Sequence, residues 1–188
     1  MTFKLLVISI VVATTLLGCK KKGVVGQYDA TPYTWNIINN TLPIPNLPID
    51  NNFTNQKVLL GRMLFYEKAL SLDESINCAS CHNQENAFSD LNKFSEGVGG
   101  LQGDRQAMAI FNLAWHDNEF FWDGRAHLLR DQALGPIENP VEMNETLENV
   151  IVKLTAREEY TNQFIRAFGS EEITALKISL ALENFMLS

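Results

Sequence analysis

The residues best suited to chemistry are two cysteines and a histidine in the run Cys78-Ala79-Ser80-Cys81-His82. Thiols at this spacing can add to the two vinyl groups of a haem, and the next histidine can ligate the iron from the same turn. A thioredoxin-like redox pair would need a βαβ context, which is absent. A zinc site would need two further close ligands, but only His116 and His127 remain, both distant. The motif therefore predicts one covalently bound c-type haem, with His82 as the proximal iron ligand.

The N-terminus is typical of a secretory signal. Lys4 precedes an apolar run over residues 5–17, which is short for a membrane span and ends in Gly18-Cys19. The run Leu16-Leu17-Gly18-Cys19 resembles a bacterial lipoprotein box, and this resemblance implies cleavage before Cys19 and acylation of its thiol. The alternative is a plain signal peptide with an incidental cysteine. The lipoprotein interpretation predicts a protein of the periplasm or cell envelope, anchored to a bacterial membrane through Cys19.

Composition indicates a globular domain with a core of its own. Of the 188 residues, 46% are hydrophobic and 20% are charged. The net charge is −7 and the only cluster of basic residues is Lys20 to Lys22, so nucleic acid is not an expected partner. We divide the chain into a lipoprotein signal peptide (1–18), an anchor with a Pro/Asn-rich linker (19–53) and a haem domain (54–188).

Helical periodicity predicts an all-α haem domain, cytochrome c-like, with long irregular loops. The glycines of the stretch 91–106 indicate one such loop. The expected helices run from Thr54 to about 66–69, from Arg105 to about Trp115, from about Gly124 to breaks at Pro136 and Pro140, from about Thr146 to Thr155, from about Arg157 to Phe168, and onward from Ser170, the last with Ile173, Leu176, Leu180 and Leu187 on one face.

Several segments between residues 57 and 187 carry a more specific pattern than the haem motif. They include Leu60-Gly61-Arg62-Met63-Leu64-Phe65, Phe121-Trp122-Asp123-Gly124-Arg125-Ala126, Gly135-Pro136-Ile137 and Val141-Glu142-Met143. In order and spacing the chain resembles the bacterial dihaem cytochrome c peroxidases and the related dihaem enzyme that matures methylamine dehydrogenase. The resemblance implies a peroxidase that reduces hydrogen peroxide with electrons from a small redox protein, either a cytochrome c or a cupredoxin.

The resemblance also implies roles for residues around the iron. Cys78, Cys81 and His82 match the attachment and proximal positions of the N-terminal, peroxidatic haem. Glu142 matches the distal acid–base residue, which the reaction needs because one peroxide oxygen must lose a proton and the leaving oxygen must gain one. Gln132 matches a distal polar position suited to holding peroxide or water.

Two further residues have implied roles outside the distal pocket. Trp122 matches the tryptophan between the two haems, an electron conduit, and Arg105 matches a charged residue near the haem that suits a propionate. Without the resemblance, Trp122 would be taken for a core residue and Glu142 for a carboxylate at a helix start. An ordinary ion pair would account for Arg125 beside Asp123.

The chain departs from the family pattern at the sixth iron position. Many members carry a histidine in the Gly-rich loop that closes this position, and Val98 stands there in an ungapped alignment. Valine cannot ligate iron, so we expect a haem that is open or water-bound on its distal side. A ligand from Met143 or Met108 would instead indicate an electron-transfer or binding module.

The second departure is that the sequence contains a single haem motif. The second haem domain of the family is therefore expected to be absent. This chain would then act with a partner that supplies electrons, or be an incomplete fragment of a dihaem peroxidase. The resemblance leaves the presence of a calcium ion undecided. Much of the family's calcium site would lie in the absent half, and Gln106 replaces the usual asparagine.

Overall fold

The computed structural model describes residues 26–35 and 42–188, so Cys19 and the expected signal segment lie outside the described residues. Six α-helices follow in order: α1 (Asn55–Phe65), α2 (Cys78–Cys81), α3 (Leu129–Glu138), α4 (Leu147–Thr155), α5 (Glu158–Phe168) and α6 (Ala175–Met186). Within these ranges there is no β-strand, only isolated bridges such as Phe120 with Ala126. The all-α prediction is confirmed. None of the described helices combines the length and apolarity that crossing a bilayer requires.

The core forms where α1 and α6 pack closely against each other. Gly61 of α1 lies directly against the backbone of Ala181, and a Cβ at this position would collide with it. The close approach buries Leu64 of α1 and Ile178 of α6 completely. Helices α3, α4 and α5 surround this pair and add the buried side chains Leu129, Ile137, Val150, Leu154, Tyr160 and Phe164.

Local caps define the helices that the sequence predicted most accurately. Thr54 accepts a hydrogen bond from the backbone N–H of Lys57 and begins α1, and Thr146 does the same for α4. Gly169 has a φ of 74° and ends α5 in the left-handed conformation. The predictions for these helices are confirmed to within a few residues.

The helix predicted from Arg105 to Trp115 is wrong. Only Leu113–Trp115 is helical, as a single 3-10 turn. Asn112 has a φ of 56°, which interrupts a right-handed helix. The apolar residues of this segment line a cavity instead of forming one helical face.

The predicted limits of α3 and α6 also need correction. Helix α3 begins at Leu129, not near Gly124, since Gly124 has a φ of 68° in the turn closed by the Phe120–Ala126 bridge. Pro136 does not break α3. It lies inside the helix, which continues to Glu138.

In α6, Leu176 is 60% exposed and does not belong to the buried face. The helix starts at Ala175 after the N-cap Thr174, and its buried residues include Ile178, Ala181 and Leu182.

The segment before α1 is tied to the helices by side chains and backbone. Asp29 donates its N–H to the carbonyl of Arg166 on α5, and Asn55 donates to the carbonyl of Thr31. Farther along, Arg130 of α3 forms two 2.8 Å hydrogen bonds with Asp50. These contacts hold the segment against α5 and against α3, the helix that carries Gln132.

Candidate active site

The haem motif forms α2, a single helical turn stabilised by its own cap. The backbone N–H of Asn77 donates to Ser80 Oγ at 3.1 Å, and this hydroxyl donates to Asn77 Oδ1 at 3.2 Å. The N–H of His82 donates to the carbonyl of Cys78 at 2.9 Å. Residues three apart lie on one face of a helix, so the thiols of Cys78 and Cys81 share one side of the turn.

Both thiols are free and partly buried. Burial raises the pKa of the Cys78 thiol to about 12, and the neighbouring Cys81 adds to this effect. The pKa of Cys81 is also raised, chiefly by burial. Cysteines that exchange disulfides have lowered pKa values and react as thiolates. The environment of Cys78 and Cys81 therefore differs from that of a thiol–disulfide redox pair.

A backbone carbonyl orients the ring of His82. Nδ1 of His82 lies 3.3 Å from the carbonyl oxygen of Phe88, which suits a proton on Nδ1 and leaves Nε2 as the basic nitrogen. Ala87 and Phe88 have φ values of 55° and 54°, an uncommon pair for residues other than glycine, and they form the turn that presents this carbonyl. Burial lowers the pKa of His82, so its neutral, ligating form is favoured.

A cavity of about 650 Å³ opens beside His82. Its volume is in the usual range for cofactor and ligand pockets. Besides His82, four elements contribute to its wall: the irregular segment 103–113, the loop 120–125, helix α3 through Gln132 and Pro136, and the turn that follows α3 through Asn139 and Glu142. A smaller cavity shares part of this wall. Its lining includes Cys78, Cys81, His82, Gln132 and Glu142 together with apolar side chains.

Glu142 is a partly buried carboxylate in the wall of both cavities. Its Oε1 accepts a 2.8 Å hydrogen bond from Nδ2 of Asn139. Burial raises the pKa of Glu142, whereas the Asn139 amide and the positive charge of Arg125 partly offset this rise. The site thus holds a carboxyl group that retains its proton more readily than an exposed glutamate, in the same cavity as His82.

Comparison with known proteins shows to which family the chain belongs. Residues 55–188 match the family described as "Di-haem cytochrome c peroxidase". The chain belongs to this family.

Individual relatives match at moderate sequence identity over part of their length. Methylamine utilization protein MauG from Methylorubrum extorquens is 41% identical over 73% of this chain and 39% of its own length. Cytochrome c peroxidase Ccp from Escherichia coli is 41% identical over 70% of this chain and 29% of its own. A solved structure titled as a MauG-like protein associated with microbial copper homeostasis superposes with a TM-score of 0.74 at 32% identity, over 82% of this chain and 46% of that one. The chain thus spans less than half the length of these relatives.

Trp122 and Arg105, which the resemblance singled out, both line the large cavity. Trp122 is 63% exposed, and its Nε1 donates to the carbonyl of Gln106 at 2.9 Å. Arg105 pairs with Asp123 at 3.0 Å, and Asp123 also pairs with Arg125 at 2.8 Å. The structure therefore brings every residue singled out for the haem site to one of the two cavities.

Val98 lies beside Glu142, and its side chain has no atom that could ligate iron. It is 8% exposed, and its N–H donates to the carbonyl of Glu142 at 2.8 Å. Of the methionines considered as ligands, Met108 lines the large cavity and Met143 the small one. Among residues 26–35 and 42–188, no group of three His, Cys, Asp or Glu side chains is arranged to hold a metal ion.

Two contacts at the site were not predicted from the sequence. The first is the Asn139–Glu142 hydrogen bond, for which the only sequence signal is the turn-forming pair Asn139-Pro140. The second is the guanidinium of Arg125, which stacks 3.5 Å from the centre of the Phe121 ring. Arg125 is thus more than a partner of Asp123, because it also acts on Glu142 through its charge.

Proposed function

We propose that this chain binds one haem covalently through Cys78 and Cys81, with His82 as its proximal ligand, and reduces hydrogen peroxide to water at that haem. Glu142 acts as the acid–base group. The observation that carries the proposal is that a histidine held through Nδ1 and a partly buried carboxylate line the same cavity.

The donor set of the site fits a c-type haem. Two free thiols share one face of a single helical turn, and an imidazole whose Nδ1 faces the carbonyl of Phe88 follows directly. The adjoining space is lined partly by apolar side chains, among them Ile110, Leu129 and Pro136, which suits an apolar macrocycle. Arg105 and Arg125 at the same cavity provide positive charge for propionates.

When bound, the haem supplies an iron centre that binds peroxide and exchanges electrons one at a time. The chain's own contribution is to move protons. Reduction of hydrogen peroxide to two waters consumes two electrons and two protons. The carboxylate of Glu142 takes the proton from one peroxide oxygen and returns it to the leaving oxygen, so that the O–O bond breaks with one water released. Gln132, in the same wall, would provide an amide for holding peroxide or water.

Electrons reach the site from outside the chain. We infer that a small cytochrome c or cupredoxin delivers them one at a time and that Trp122 is the point of entry. The indole supports this role because it lines the cavity and is also 63% exposed, so it connects the interior with the surface.

The proposed reaction is tested by steady-state reduction of hydrogen peroxide with a reduced small cytochrome as electron donor. The protein is produced in a host that attaches c-type haem. Replacing Glu142→Gln is expected to lower kcat by about 100-fold or more while haem remains attached. Unchanged turnover in this variant would contradict the role of Glu142. As a control, Glu138→Gln changes an exposed carboxylate near the end of α3 and is expected to keep full activity.

We also propose that the protein is held at a membrane of the cell envelope by lipid on Cys19. The support is the lipoprotein-like run that ends at this cysteine. A Cys19→Ala variant is expected to move from the membrane fraction to the soluble fraction. If both forms remain in the soluble fraction, the anchor is excluded.

A further inference from the structure

Asn139 is the C-cap of α3, and both ends of its side-chain amide are used in the turn that leads to Glu142. Nδ2 donates to Glu142 Oε1 at 2.8 Å, and Oδ1 accepts from the N–H of Val141 at 3.1 Å. The backbone carbonyl of Asn139 also accepts from the N–H of Glu142 and from that of Asn144, each at 3.0 Å. One residue thus fixes both the backbone and the side chain of Glu142.

The hydrogen bond distinguishes the two oxygens of the carboxylate. Oε1 is occupied by the amide of Asn139, while Oε2 makes no hydrogen bond to any residue in the described ranges. Because a free carboxylate rotates about its terminal torsion, such a bond selects one orientation of the group. Oε2, which accepts no hydrogen bond, is therefore the oxygen better able to take a proton from a ligand in the cavity.

Few other groups act on this carboxylate. Arg125, in the loop before α3, acts on it through charge, but its guanidinium is engaged with Asp123 and with the Phe121 ring. From α2 and its C-cap residue, the titratable groups that share the smaller cavity are Cys78, Cys81 and His82. No second hydrogen-bond donor to Glu142 is found among the described side chains.

We propose that Asn139 is a positioning residue that holds the Glu142 carboxylate through Oε1, so that Oε2 exchanges the proton with the substrate. The part of this statement that concerns substrate rests on the proposed peroxidase function. The orientation of the carboxylate does not depend on that function and is tested separately.

The variant Asn139→Asp tests the positioning of the Glu142 carboxylate without disrupting the turn. Its carboxylate still accepts from the N–H of Val141, so the turn is preserved, but it can no longer donate to Glu142 and places a second negative charge beside it. Asn139→Ala removes both hydrogen bonds and serves as a second variant.

The chain provides a matched control in Asn149→Asp. Asn149 donates from Nδ2 to Glu145 Oε2 at the same distance, 2.8 Å, and lines neither cavity.

The experiment follows the protonation of Glu142 by infrared difference spectroscopy on the haem-loaded chain, with the carboxyl band assigned by its loss in Glu142→Gln. We expect the midpoint of this titration to rise by about one pH unit or more in Asn139→Asp, and to rise less in Asn139→Ala. The midpoint in Asn149→Asp should equal that of the wild type. In steady-state peroxide turnover by Asn139→Asp, the acidic limb of the pH profile should shift by the same amount as the Glu142 midpoint. The kcat should fall about 10-fold, and KM for peroxide should stay unchanged.

The outcomes separate the two proposals. An unshifted Glu142 midpoint in both Asn139 variants would overturn the positioning role. If the Glu142 midpoint shifts in the Asn139 variants but the wild-type protein has no peroxide turnover, the positioning role is supported and the proposed function is overturned. If Asn139→Asp does not fold, as judged by circular dichroism, Asn139→Ala decides alone. A raised Glu142 midpoint then supports the positioning role, and an unchanged or lowered midpoint contradicts it.

Discussion

The backbone N–H of Val98 donates a hydrogen bond to the carbonyl of Glu142 at 2.8 Å. This contact joins the Gly-rich loop to the turn after α3, two segments that are more than 40 residues apart in the sequence. It depends on Gly97, because a Cβ at that position would meet the carbonyl oxygens of both Val141 and Glu142. The loop therefore supports the backbone from which the Glu142 carboxylate projects.

Replacing Gly97→Ala is expected to push the two segments apart. We predict that kcat for peroxide falls about 10- to 100-fold, since small displacements of a catalytic group have effects of this size. The haem content should remain unchanged, because α2 is not involved. Gly103→Ala is a comparison variant in the same loop and the same cavity wall. Gly103 has no positive φ, and its added methyl group meets only the carbonyl of Arg105 at an ordinary 3.9 Å, so the contact of Val98 with Glu142 should persist. Full activity of Gly97→Ala would contradict the supporting role of the loop.

The raised pKa of Glu142 predicts a specific pH dependence of activity. The base form is lost as the pH falls through this raised pKa, so peroxide turnover should decline at a higher pH than the ordinary pKa of glutamate would give. Steady-state rates across the acidic range measure this limb. A decline that coincides with the ordinary pKa of an exposed glutamate would contradict the assignment.

The same raised pKa has a consequence for stability, with a definite sign. Because the folded state binds this proton more tightly than the unfolded state, the stabilising contribution of Glu142 is fully present below its ordinary pKa. It is lost as the pH rises through the raised folded-state pKa. We therefore predict that Glu142→Gln has a higher Tm than the wild type at neutral pH and that this gain disappears near about pH 4. Thermal unfolding at the two pH values tests this, and a gain of equal size at both would contradict it.

Trp122 provides a test of the electron path. Because this side chain is 63% exposed, Trp122→Phe should change the free energy of unfolding by less than about 0.5 kcal/mol. We expect turnover with a reduced protein donor to fall about 10-fold, since phenylalanine is much harder to oxidise than tryptophan. Trp115→Phe is the control, because it also loses a hydrogen bond from Nε1 to a backbone carbonyl, that of Pro43, at 2.8 Å. Equal losses in the two variants would exclude a special role for Trp122.

A buried charge cluster predicts where the fold is most sensitive. Arg130 is 7% exposed and bonds to both Asp50 and Glu183, and Glu183 is 1% exposed. Arg130→Met leaves the buried Glu183 without its guanidinium, so the free energy of unfolding should fall by about 3–5 kcal/mol. Glu172→Gln, which removes an exposed partner of Lys177, should change it by about 1 kcal/mol or less. Urea titrations measure both, and equal effects would contradict the role of burial.

The features that could be predicted from the sequence are those fixed by neighbouring residues. Thr54 and Thr146 cap helices with bonds to backbone N–H groups three residues away, and Gly169 ends α5 by its own left-handed conformation. The haem motif is equally local, since its cap and its hydrogen bond from His82 to Cys78 lie within six residues.

The features that could not be predicted depend on the cavity and on long-range contacts. The apolar residues between Arg105 and Trp115 have the composition of a helix, but they line a cavity, and Asn112 adopts a left-handed conformation there. The contact of Val98 with Glu142 requires the folded arrangement of two distant segments. A hydrophobic pattern specifies burial, but it does not distinguish a helix packed in the core from a loop packed around a cofactor.

Covalent haem, its ligation and its reaction with peroxide are measured together by the electronic absorption spectrum of the protein, purified from a host that attaches c-type haem, before and after addition of hydrogen peroxide. We predict covalently attached haem, a high-spin ferric spectrum from an open or water-bound distal side, and a spectral change on adding peroxide that is slowed in Glu142→Gln. A low-spin spectrum that peroxide leaves unchanged would contradict the peroxidase assignment and indicate a sixth protein ligand. A protein without covalent haem would contradict the role of Cys78 and Cys81.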